Sequence, residues 1–71
     1  MPKMEPVKSS TIREMGYDEP SQELTLIFVS GDAYVYEVVP PMIYEGLRAT
    51  SSPGAFFNKW IRDRFEFRHL D

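Results

Sequence analysis

The chain contains no cysteine, one histidine, four glycines and no long apolar run. Without cysteine there is no disulfide, no thiol nucleophile and no thiolate ligand for a structural zinc. The one imidazole, His69, is the third residue from the end of the sequence, where fraying is expected, so a Ser-His-acid triad has a poor candidate base. His69 and Asp71 alone make a poor metal site. Gly54 is isolated, so no glycine-rich loop is available to cradle phosphate. The longest apolar runs, such as Leu26–Val29, have four residues, against the ~20 needed to span a bilayer. Met1–Pro6 lacks the apolar segment of a secretory signal. These absences predict a non-catalytic chain with no cofactor, no metal and no membrane association. Cysteine-free composition suits the cytoplasm.

What is present is a means of packing. Of 71 residues, 42% are hydrophobic and 14% aromatic. That length predicts one small domain, which buries only ~60% of the surface its unfolded chain exposes. Packing, or association with another chain, must stabilise it. The net charge of −3 is unevenly spread. Residues 1–45 carry three basic and eight acidic side chains, whereas residues 46–71 carry five basic and three acidic ones. Such asymmetry marks a polyanion-binding face, an attraction between halves, or only solvated surface.

Along the chain, residues 1–6 hold two prolines and no periodicity, which predicts a flexible N-terminus before a single domain over 7–71. Val7–Tyr17 is a first strand, and Gly16–Ser21 is rich in turn formers. Leu24–Val29 and Ala33–Val39 are β-branched and aromatic, joined by Ser30-Gly31-Asp32 into an antiparallel hairpin. Pro40-Pro41 ends the second of these strands and opens a helix with Met42, Ile43 and Leu47 on one stripe, which Gly46 weakens. Ser52-Pro53 is an N-cap and first-turn pair. At 100° per residue, Phe56, Phe57, Trp60 and Ile61 then fall within an arc of ~140°, with Arg64 near its middle. Lys59 and Asp63 are spaced for a weak pair. Phe65–Leu70 alternates, as a short edge strand does, although helix end plus coil also fits. The fold class is α+β: a three-stranded antiparallel meander, two C-terminal helices, and a terminal edge strand as an option.

Tyr34 and Tyr36 share one sheet face. A two-residue loop sets them beside Ile27 and Val29. A three-residue loop sets them beside Leu24, Leu26 and Phe28, which gathers the largest apolar groups together and is preferred. Ile27, Val29 and Val35 then occupy a second face whose apolarity points to self-association.

The chain resembles the KTSC domain, a short family named for the C-terminal domain of some lysyl-tRNA synthetases. The resemblance rests on Val7-x-Ser9-Ser10-x-Ile12, Gly16-Tyr17-Asp18, Leu24-x-Leu26-x-Phe28, Gly31, Tyr34-x-Tyr36 and Val39-Pro40. It continues through Ile43-Tyr44-x-x-Leu47 and Ser52-x-Gly54-x-Phe56-Phe57-Asn58-x-x-Ile61. It implies a domain found alone or fused to larger bacterial and phage-type proteins. It implies no established activity, although RNA binding has been suggested from the synthetase context. Ile27 and Val35 stand where the family tends to polar residues.

Two functions are weighed. The favoured one is an interaction module that binds a partner protein or a second copy, through the apolar sheet face or an exposed edge strand. The alternative is an RNA- or nucleic-acid-binding module using Arg48, Lys59, Arg62, Arg64 and Arg68 for phosphates and Tyr34, Tyr36 or Trp60 for stacking. The aromatic residues equally suit a core. Ser9, Ser10 and Asn58 are candidates for a small polar site with a tyrosine, or for satisfying local backbone groups.

Overall fold

The two strongest strand segments of the sequence pair with the expected parity. In the computed structural model, which describes residues 2–70, Leu24 stands opposite Tyr36 and Leu26 opposite Tyr34. Even residues face even ones, and both tyrosines lie with Leu24 and Leu26. The turn is displaced by one residue: the Phe28 N–H bonds the Asp32 carbonyl, so the three loop residues are Val29, Ser30 and Gly31. Gly31 takes φ +101°, a conformation open to glycine and costly for other residues.

The sheet has five strands rather than three, all antiparallel and in chain order. They are β1 (Glu5–Pro6), β2 (Ile12–Asp18), β3 (Glu23–Phe28), β4 (Ala33–Tyr36) and β5 (Phe67–Leu70). Helices α1 (Pro41–Ala49) and α2 (Pro53–Trp60) are inserted between β4 and β5. β1 falls within the 1–6 segment, where no periodicity marks a strand: Glu5 and Pro6 pair with Met15 and Glu14. Met1 and Asp71, assigned to the N-terminal segment and to the end of the domain, lie outside the described residues.

The first strand begins later than Val7. The Ser9 hydroxyl accepts the N–H groups of Thr11 (3.0 Å) and Ile12 (3.2 Å), fixing a turn where strand was expected. Within β2 the register slips at Arg13: Ile12 opposes Phe28, but Glu14 opposes Ile27. This bulge changes the alternation, so Ile12 and Met15, three apart, both turn to the core.

That core joins Ile12, Met15, Leu24 and Leu26 of the sheet to Leu47, Phe57 and Ile61 of the helical region. Each fully buried side chain contributes roughly 1.5–3 kcal/mol. The N-cap of α2 is Ser52, as expected, but its side chain makes no cap bond. The helix ends at Trp60, sooner than the apolar arc implies. Trp60, the last helical residue, is 42% exposed, whereas Ile61 just beyond it is fully buried. Arg64 falls in the following turn and the Lys59–Asp63 spacing is no longer helical. Lys59 instead places its ammonium 5.1 Å over the Trp60 ring.

On the second sheet face Val35 is only 5% exposed. Its cross-strand neighbour Arg68 reaches over this face to Glu37 (3.0 Å) and Glu23 (3.4 Å). The face expected to be openly apolar is thus crossed by an ion triad over Val35, and the exposed Val29 lies in the β3–β4 loop rather than on the sheet.

Candidate functional site

β5 completes a feature that the tyrosines begin. Phe67 pairs opposite Tyr36 and His69 opposite Tyr34, so alternation brings all four rings to the helix-facing side of the sheet. Phe57 approaches from α2. Phe28–Tyr34 (5.8 Å), Tyr34–Phe67 (5.7 Å), Phe67–Tyr36 (5.7 Å), Tyr36–Phe57 (5.7 Å) and Phe57–Phe28 (5.2 Å) form a closed cycle of five rings. Most of these contacts are edge-to-face, the arrangement favoured by ring quadrupoles. His69 stacks on Tyr34 at 4.8 Å, with Nε2 3.4 Å from the Asp32 carboxylate.

The cycle lines an open groove of about 350 Å³. Tyr36 and Phe57 are buried and form its floor, while Phe28 and Tyr34 are half-buried walls. Phe67 is the most open wall, 54% exposed. Arg62 and Asp63 from the turn after α2 border it. Asp63 adopts φ +61°, a left-handed conformation that Asp tolerates better than most residues. The Arg62 guanidinium is 3.5 Å from Asn58 Oδ1 one turn back. Burial pushes the Tyr36 hydroxyl up to about 12; Tyr34 and Asp63 add to the shift and Arg62 opposes it.

The candidate residues separate into three places. Tyr34, Tyr36 and Arg62 meet at the groove. Tyr36 is core as well as site, at 5% exposure. Ser9, Ser10 and Asn58 border a shallow depression at the start of α2, with Ser52 and Gly54. Ser9 is committed to the backbone there, and only Ser10 also reaches the tyrosine side, in a depression shared with Phe28 and Tyr34. Arg48 lies apart on α1, engaged with Glu5 (3.8 Å) and Glu45 (3.7 Å). Lys59 and Arg64 are exposed on and after α2, with no carboxylate within ion-pair distance among the described residues. Among the described residues no group of three His, Asp or Glu is placed to hold a metal ion, and no helix is long and apolar enough to cross a membrane.

Phe28, Phe57, Asp63 and Phe67 also line the groove; the sequence pattern pointed to core for Phe28 and Phe57, to a helical pair with Lys59 for Asp63, and to an edge strand for Phe67. The alternation of Phe65–Leu70 signalled a strand but not its partner, and pairing with β4 is what brings Phe67 to Tyr36.

The KTSC domain family profile matches residues 8–65. A protein of Tsukamurella paurometabola is 44% identical over 62 residues, covering 87% of this chain and 92% of that one. A lysine–tRNA ligase of Nostoc punctiforme is 40% identical over 63 residues, which are 89% of this chain and only 11% of the ligase. The crystal structure of a KTSC domain protein from Yersinia pestis superposes with a TM-score of 0.97 over the whole of both chains, at 30% identity.

Proposed function

The chain belongs to the KTSC domain family, and from that premise we propose that it is a small non-catalytic interaction module whose aromatic groove and β5 edge receive a segment of a partner protein. The observation that carries this reading is Phe67, a large ring 54% exposed on an edge strand and continuous with a buried aromatic floor. Exposed aromatic groups beside a formed pocket are typical anchors of interfaces. β5 also leaves one side of its backbone ladder unpaired among the described residues, where an extended segment can add as a strand. Relatives of two sizes support a modular role. One is nearly the length of this chain, and in the ligase the matching part is a small share of the whole.

Affinity capture from a bacterial lysate with wild type and Phe67→Ser tests this directly. A protein retained by wild type after nuclease treatment and lost with Phe67→Ser supports the reading. Identical capture by both, or loss on nuclease treatment, contradicts it. Sedimentation at two concentrations decides whether the partner is a second copy.

The nucleic-acid reading has one observation in its favour. Lys59, Arg62 and Arg64, all on or just after α2, have no carboxylate partner among the described residues, whereas Arg48 and Arg68 do. A relative that is a lysine–tRNA ligase is consistent with it. Filter binding of single-stranded RNA over a salt series tests it. Three phosphate contacts give a log–log slope of about −2, and no binding at tens of micromolar removes it.

A further inference from the structure

We infer that the groove is a cradle for a cationic side chain, Lys or Arg, presented by the partner segment; this rests on reading the groove as a protein-docking site. Aromatic faces carry negative potential, and five rings converge on this one concavity. At about 350 Å³ it lies at the small end of ligand sites, the size for one side chain rather than an extended stack.

Charge at the rim selects the sign of the occupant. Asp63 is exposed and has no ion-pair partner among the described residues. The turn that carries it follows the C-terminal end of α2, the negative end of the helix dipole. Arg62 also borders the groove, with its guanidinium 3.5 Å from Asn58 Oδ1, and it opposes Asp63 there. An apolar anchor would leave Asp63 without a partner. A phosphate would have to sit beside its carboxylate. A cation satisfies the rings, the carboxylate and the dipole together.

The test uses the peptides Gly-Gly-Xaa-Gly-Gly, with Xaa as Lys, Arg, norleucine or Glu, and a pentauridylate. Each is titrated against the ring resonances of Tyr34 and Phe67 in the full chain. Lys and Arg peptides are expected to bind about two- to fivefold tighter than norleucine. Asp63→Asn removes that preference, and Arg62→Gln enlarges it. Both residues are exposed, and Asn tolerates the left-handed backbone at position 63, so the variants keep the fold. Norleucine binding as tightly as Lys overturns the cation inference and leaves the docking groove standing. Preference for the Glu peptide or the oligonucleotide, weakened by Arg62→Gln, overturns it in favour of an anionic partner. No movement of either ring with any probe overturns both readings.

Discussion

Gly46 lowers the intrinsic helix propensity of α1, yet a methyl group there would stand 2.6 Å from the Phe56 ring. Close helix–helix approach outweighs propensity. Gly46→Ala should gain ~1 kcal/mol of helix preference and lose more to overpacking, for a net loss of ~1 kcal/mol seen as a lower urea midpoint. Val38 shows the opposite imbalance. It is β-branched, 68% exposed and held at φ +54°. Its neighbours fix it there, through the Glu37 N–H on the Glu66 carbonyl and the Val39 N–H on the Gln22 carbonyl. Val38→Asn should therefore stabilise the domain by ~1 kcal/mol, raising the melting temperature by ~4–8 °C. An unchanged or lower melting temperature would refute that account of the strain.

At the scale of elements, β5 is what turns two tyrosines into a site. Phe67 of β5 covers Tyr36, whose hydroxyl ionises at about 12 because of burial. Phe67→Ala should bring that value down toward the ordinary tyrosine value of ~10, read as absorbance at ~295 nm across alkaline pH. The same shift sets a stability window. A folded value raised above the unfolded one means that the neutral phenol's contribution is complete below pH ~10 and is lost as pH climbs through about 12. Urea midpoints should fall across that interval in wild type, and fall less in Phe67→Ala.

The elements also show where sequence was informative. The β3–β4 parity was legible, because only an odd loop gathers Leu24, Leu26 and both tyrosines on one face. β1 was not, since two residues including a proline carry no periodic signal and are ordered by Met15 and Glu14 across the ladder. The exposure of Trp60 was equally hidden. The end of α2 is set by the turn in which Asp63 takes a positive φ, and the apolar arc gave no hint of that stop. Of the groove, Tyr34 and Tyr36 were visible from their spacing, whereas Phe67 depended on the pairing of distant strands.

At the scale of the molecule, the acidic first part of the chain, residues 1–45, and the basic remainder are partly joined by ion pairs. Arg48 meets Glu5 of β1, and Arg68 meets Glu23 and Glu37. These pairs are exposed and weak individually, but they remove two cations from any polyanion surface. What remains open is an aromatic groove with one acid and one base at its edge, separate from the exposed Lys59 and Arg64. The most direct measurement is site-specific photocrosslinking in bacterial cells, with p-benzoylphenylalanine replacing Phe67 in one variant and Lys59 in another. A discrete protein adduct from position 67 and none from position 59 is the predicted result. Adducts to nucleic acid, or a protein adduct from position 59 alone, would contradict the groove as the docking site.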